Sequence, residues 1–427
     1  MSISIITPEM RANFRNLYAD VFWYGILAGS TLAFLAIYAT HQGASTFQVS
    51  LLTAGPALVN LALSLPVGRW LEGKRLVRVT FWSSIGQRVG YLALIALPWL
   101  LPAAGQVWAL VLITVLISIP GTYLAISINA LLADVVPPDQ RGVVVGRRNA
   151  IVAFSMISTS LACGALLDWI KFPYNYQVVF FLGAVGAGMS SFALARLRTP
   201  RERPVRVLKL LNDLARPGQL RIGDAFRASG GLRFLTGSSG KPLLRLDLLR
   251  TSYGTFLLAC FIFYTFQYIS IPIYPLFFVN QLHLTDGQIG LGNAIFYTAM
   301  MLASMALGWL ATQMGHRWVL ILGALLYAFY PLLVGLAHNA TLVYVASVAG
   351  GAAWALANGG LLNRLMERTL ENDRPAFMAF YNVALNLGIF CGSLAGPLLA
   401  TGLGLREGLL VSAGTRFLAG ILFIIWA

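Results

Sequence analysis

The sequence predicts an all-α membrane protein, with twelve transmembrane helices in two six-helix bundles and both termini cytoplasmic. Three observations carry this expectation. Of 427 residues, 58% are hydrophobic and only 11% are charged, against roughly 25% charged in a soluble globular chain. The apolar residues fall in runs long enough to cross a bilayer. Lys and Arg cluster in alternate connections between those runs.

So few charges cannot cover the surface of a soluble domain, whereas lipid accepts an apolar exterior. A helix needs roughly 20 apolar residues to cross. The runs that meet this are 17–40, 48–72, 77–101, 106–134, 143–170, 176–196, 252–280, 286–312, 317–337, 340–366, 375–402 and 406–427. Spans of a β-barrel would be about 10 residues long and strictly alternating, which these are not. Short connections make neighbouring spans antiparallel. The first run, from Leu17, has no small-residue cleavage site and reads as a retained span.

Orientation follows from Lys and Arg, which concentrate on the cytoplasmic side. One set of connections holds Arg11, Arg15, Arg69, Lys74, Arg75, Arg78, Arg141, Arg147, Arg148, Arg317, Arg364, Arg368 and Arg374. The opposite set holds only Lys171 and Arg406, while Arg88 and Arg416 lie inside spans. The chain is therefore expected to divide into an N-terminal bundle (1–196), a basic cytoplasmic linker (197–250) and a C-terminal bundle (251–427). Within the linker, Val205–Ala215 reads equally as an amphipathic surface helix or as part of a solvated tether.

The formal net charge of +15 invites a nucleic-acid reading. The basic residues nevertheless sit in short clusters between apolar runs, with no zinc spacing or RNA-binding motif. Topology is the better account, with the lipid bilayer as partner and no nucleic acid. Cys163, Cys260 and Cys391 lie in apolar stretches without motif spacing, so neither a disulfide framework nor a metal site is expected. The four histidines are scattered. No cofactor and no nucleophile–base constellation is visible, so an enzyme is not expected.

The halves echo each other. Asp134, Arg141 and Asn149 recur as Glu367, Arg374 and Asn382, all at an offset of 233 residues. A second echo follows each half's second span: Gly68, Glu72, Gly73, Lys74 and Arg75 in one, Gly308, Gly315 and Arg317 in the other. Gly68 and Gly308 would let helix backbones approach. Gly73 and Gly315 suit sharp turns. The charged members of both echoes read either as topology signals alone or as a cytoplasmic latch between the halves.

These residues resemble the major facilitator superfamily. Its signature between spans two and three is approximately G-x-L-A-D-R-x-G-R-R. Gly308, Leu310, Gly315 and Arg317 match it, with Thr312 in place of the acid; Gly68, Glu72, Lys74 and Arg75 match a version shortened by two residues. The pair Arg141-Gly142 after span four is similar as well. The resemblance implies two bundles related by an axis along the membrane normal, with a substrate site near the midplane. In that plan the first and fourth spans of each half line the cavity, the second and fifth form the seam, and the third and sixth face lipid. It implies a monomeric secondary transporter moving a small organic solute by alternating access, with a proton or ion as a candidate coupling partner. The alternative is a non-transporting assembly factor or sensor that keeps the fold. The cytoplasmic membrane of a prokaryote is the expected location.

Ionisable residues inside a membrane mark functional candidates. Here they are Arg88 and Arg416, with Asp20 near the inner end of span one as the candidate coupling acid. Arg15 is its expected structural partner. Arg88 and Arg416 read either as anion or coupling sites or as helix-packing residues on peripheral spans. No carboxylate is expected near the midplane, and the antiporter signature G-x-x-x-G-P is absent from span five. Polar and aromatic residues at helical spacing mark the expected cavity: Tyr24, Thr31 and Tyr38 in span one, Tyr123 and Ser127 in span four, Tyr264, Gln267 and Tyr268 in span seven, Trp354 and Asn358 in span ten. Each also reads as interhelical packing. Pro120, Pro272 and Pro275 are expected to break helices near the site.

Overall fold

The computed structural model describes residues 8–71, 74–137, 140–198, 252–368 and 374–426. The linker, Glu72, Gly73 and the side chains of Arg69 and Arg374 lie outside what is described. Every regular element among the described residues is helical.

In the first half, α1 (Pro8–Leu27) continues through a π turn (Ala28–Leu32) into α2 (Ala33–His41). It is followed by α3 (Thr46–Leu71), α4 (Leu76–Leu100), α5 (Ala103–Val135), α6 (Arg141–Trp169) and α7 (Tyr174–Ala195). In the second half, α8 (Ser252–Ile269) and α9 (Ile273–Leu276) lead through a π turn (Phe277–Gln281) to α10 (Asp286–Tyr327). The chain ends with α11 (Phe329–Leu336), α12 (Ala340–Glu367), α13 (Arg374–Leu403) and α14 (Leu405–Trp426).

Ten described segments are long and apolar enough to cross a membrane. They match the expected runs with two differences. The α4 helix is missing from the ten, because Arg78, Gln87 and Arg88 dilute its apolar content. Two runs fuse into the single segment Asp286–Leu336. That segment still turns at Gly315, whose φ of 78° is a left-handed conformation only glycine adopts cheaply. The turn read from the sequence is therefore present. The close helix approach expected at Gly308 is not: a side chain there would meet open space.

Pro272 interrupts its span between α8 and α9, as expected. Pro120 does not; α5 runs straight through it. Span one begins at Pro8, some distance before the expected Leu17, which carries Asp20 deeper into the helix.

Large apolar side chains cover the outward faces. Trp99, Trp169, Met305 and Leu398 are each more than 60% exposed, a surface suited to lipid rather than water. Exposed tryptophans at both ends (Trp70, Trp309 and Trp318 at one, Trp99 and Trp169 at the other) have the placement of interfacial aromatic belts.

The halves meet along α6 with α10 and α3 with α13. One apolar core, containing Phe34, Tyr38, Tyr176, Tyr274 and Phe277, joins both halves at the end away from the basic connections. At the basic end the first half has its own core with Leu17, Leu131 and Val144, while the second half's, with Tyr253, Leu365 and Phe377, takes in Ala57 of α3. Among the described residues, the halves are therefore joined at one end and divided at the other.

Candidate functional site

The closed end is held by polar contacts between the halves. Asp168, at the end of α6, accepts hydrogen bonds from the Thr285 hydroxyl at 2.9 Å and the Gly287 N–H at 3.0 Å. Asp286 accepts one from the Tyr176 hydroxyl at 2.8 Å and lies 3.1 Å from His41 Nε2. Both carboxylates thus sit at the N-terminus of α10, whose unpaired N–H groups and dipole favour negative charge. Thr285 caps the same helix reciprocally with Gln288. Below this cluster, Ser160 donates to the Gly290 carbonyl. Gly164 and Gly290 let α6 and α10 come so close that a side chain on Gly290 would strike the Ser160 carbonyl and Gly164 Cα. Thr53 donates to Ser393 across the other seam at 2.9 Å.

At the basic end, several latch candidates contact residues of their own half. Asp134 is exposed at the end of α5. Arg141 is buried and donates to the Val136 carbonyl at 3.0 Å. Lys74 lies over the Trp70 ring, and Arg75 is exposed at the start of α4. Gly68 is buried within α3. Arg317 donates to the Ile424 carbonyl at 2.7 Å. Glu367 accepts from Arg364 at 2.9 Å and lies 3.9 Å from His316.

Within the first half, Asp20 is fully buried. Its partners include Ser190, which donates to it, and Arg148, whose Nη2 lies 3.5 Å away. Arg15, the partner expected from sequence, is exposed instead. Arg88 donates to Ser190 at 2.8 Å and to Ser191, and Ser191 also bonds Ser84 at 2.9 Å. Asp20 and Arg88, singled out separately in the sequence, therefore belong to one network crossing α1, α4, α6 and α7.

Within the second half, Arg416 is 1% exposed. Its Nη2 donates to the Gln267 carbonyl at 2.6 Å and to the Ser270 hydroxyl. Those residues flank the break between α8 and α9, where proline has freed main-chain acceptors. Its guanidinium lies 4.5 Å from the centre of the Tyr327 ring. From there the aromatic contacts continue: Tyr327 to Trp354 at 5.4 Å, Tyr330 stacked on Tyr327, and Tyr274 and Phe296 against Tyr330 at 5.0 and 5.6 Å.

The cavity candidates divide. Tyr24, Tyr268, Trp354 and Asn358 are partly exposed. Tyr24 and, from the second half, Tyr297 pack on one small core of the first half. Gln267 is buried beside Arg416. Four further positions are buried in this arrangement. Thr31 is wholly buried and turned onto Gly183 of α7. Ser127 is buried and bonds within its own helix. Tyr264 is buried and bonds Tyr381 on α13 at 2.7 Å. Tyr38, the third member of the span-one series, is buried against Gln106, Tyr176 and Phe180. A period of seven keeps residues on one stripe, but the π turn at Ala28–Leu32 inserts an extra residue and rotates that stripe away. Tyr123 is partly exposed with its ring against Trp70.

Sequence reasoning missed Asp168, Asp286, Tyr176, His41 and Arg148. A usable signal existed for two of them. Asp168 and Asp286 stand in connections where Lys and Arg are scarce, each beside a helix end.

A helical molecule with an apolar exterior, two halves joined at one end, and charged residues buried inside each half has the organisation of a membrane carrier protein. The chain belongs to the Major Facilitator Superfamily, whose model matches residues 21–244 and 256–427. It is 25% identical over 151 residues to Multidrug resistance protein 2 of Bacillus subtilis (35% of this chain, 37% of that protein). It is 24% identical over 130 residues to Quinolone resistance protein NorA of Staphylococcus aureus (30% of this chain, 33% of that protein). The aligned segments thus span about a third of these relatives' length. Among solved structures, a point mutant of the nucleoside transporter NupG superposes with a TM-score of 0.71 at 12% identity, covering 97% of this chain and 99% of that one. An outward-facing bacterial homologue of the iron transporter ferroportin gives 0.60 at 15% identity, with 97% and 99% covered. At these identities the superpositions speak to fold alone.

Proposed function

We propose that this protein is a secondary active transporter, carrying a small organic solute across the cytoplasmic membrane of a prokaryote by alternating access, in an arrangement that faces the cytoplasm. The single observation behind the reading is the asymmetry of contacts between the halves. Asp168, Asp286, His41 and Tyr176 join them at one end, while Asp20, Arg148, Arg317 and Glu367 bond within their own halves at the other. With the basic connections on the cytoplasmic side, the divided end opens inward, and both termini are cytoplasmic.

The central surface supports an amphipathic or aromatic solute. It offers Tyr24, Tyr268, Tyr330, Trp354 and Asn358 from both halves, all partly exposed. Rocking one bundle on the other would break the Asp168 and Asp286 contacts and bring the latch candidates together.

The test pairs transport with distance measurement. Purified protein is spin-labelled at Lys171 and His283 on one end, or at Lys74 and Gln313 on the other, and reconstituted for uptake of a broad solute panel. A transported solute should lengthen one distance while it shortens the other. No uptake of any solute, with both distances unmoved, sinks the proposal and leaves the assembly-factor or sensor reading.

A further inference from the structure

Arg416 poses a physical problem that the fold does not resolve. A buried guanidinium normally finds a carboxylate. None of the described carboxylates pairs with Arg416, and those of its own half (Asp286, Glu367 and Glu407) stand at helix ends. The C-terminus of α8 helps, since a helix end carries roughly half a negative charge. The Tyr327 ring adds a cation–π contact. Together these leave much of the charge uncompensated in a low-dielectric setting.

The hydrogen-bond inventory points the same way. Arg416 Nε and Nη1 make no hydrogen bond, although the residue is 1% exposed. Three buried neighbours also have an unpartnered polar atom: the Tyr274 hydroxyl, the Ser412 hydroxyl and Gln267 Oε1. Tyr274 is 7% exposed and its hydroxyl lies beside Ser270 and Arg416. Ser412 sits one turn before Arg416 on α14 and Gln267 supplies the carbonyl that holds it. Most of these atoms can donate. Unsatisfied buried polar groups are costly, and a cluster rich in donors around a cation is satisfied by an anion.

We propose that Arg416, Tyr274 and Ser412 form a binding site for a monoanionic group, the carboxylate of an aromatic organic acid. The ring of Tyr327, which lies next to the guanidinium, and those of Tyr330 and Trp354, which both contact it, would take its apolar body. That the acid is the transported solute rests on the reading above; the anion site itself does not.

The experiment uses the full chain, purified in detergent in a low-salt zwitterionic buffer, with thermal unfolding as the readout. Benzoate is the probe, benzyl alcohol its neutral counterpart, and chloride the inorganic source of the same charge. Benzoate should raise Tm saturably and benzyl alcohol should not. Arg416→Gln should weaken the apparent benzoate affinity by about 10- to 100-fold, the range for losing hydrogen bonds to a charged group. Should that variant fail to fold, Tyr274→Phe removes one donor only and should weaken affinity by roughly 3- to 10-fold. An Arg416→Gln protein that responds like the wild type, or a wild type that responds saturably to neither anion, overturns the site. Saturation by chloride alone keeps the anion site and overturns its assignment to an organic acid. A benzoate shift without benzoate uptake by proteoliposomes removes carriage and leaves the site. Uptake of neutral solutes without any anion shift does the reverse.

Discussion

Arg88 in the first half and Arg416 in the second are both buried in the middle of a helix, but they are held differently. Arg88 is tied through Ser190 to the carboxylate of Asp20, with Arg148 on the same acid. Arg416 is tied to a main-chain carbonyl, a serine and a tyrosine ring, with no carboxylate among the described residues. An arginine at the centre of a membrane helix costs about 3 kcal/mol on insertion scales. The first half offsets that cost with a buried anion. The second offsets it with dipoles and a ring, and leaves donors unpaired. Two arginines of similar burial can thus be linked to an acid within the protein in one bundle and left with spare donors in the other.

The largest expected effect breaks the first arrangement. Asp20→Asn leaves Arg88 and Arg148 buried without their shared acid, and should cost about 3–5 kcal/mol of stability, read as a lowered Tm. Asp20→Asn combined with Arg148→Gln should recover part of that loss. Wild-type stability in Asp20→Asn alone would mean that the network is not what solvates Arg88.

A middle-sized effect concerns the closed end, which shows how a carboxylate couples the halves rather than a single bundle. Asp286→Ala removes the contacts to Tyr176 and His41. Hydrogen bonds to charged groups contribute about 1.5–3 kcal/mol each, so the population should shift at least roughly 10-fold toward opening at that end. Spin-label distances between Lys171 and His283 check this.

The smallest effect sharpens the comparison. Arg416→Met removes a charge that has no partner acid, so stability should stay within about 1 kcal/mol of wild type or rise. A loss as large as that of Asp20→Asn would show that the two arginines are equivalent after all.

Much of this was legible in the chain. The apolar runs set the helices, because a bilayer demands length and tolerates few charges. Gly315 announced its turn and Pro272 its break, since both act through local backbone chemistry. Asp20, Arg88, Arg416 and Gln267 stood out as polar residues in apolar surroundings. Their partners did not. Ser190 and Arg148 lie 170 and 128 positions from Asp20 in the sequence, and no local pattern links them. That Thr31 lies against Gly183 was not legible either, because it stands in a π turn. Nor was it legible that a side chain at Gly308 would meet open space.

By itself, the sequence determined the fold class, the membrane setting and the side on which the basic connections gather. These depend on composition and periodicity, which a reader of one dimension can count. Tertiary structure alone decided which end of the two halves is joined, that Asp168 and Asp286 both meet the start of α10, and that one buried arginine has an acid while the other has none among the described residues. Those outcomes depend on distances between residues far apart in the chain, and a buried charge is stable or needy according to what the fold places within a few ångströms of it.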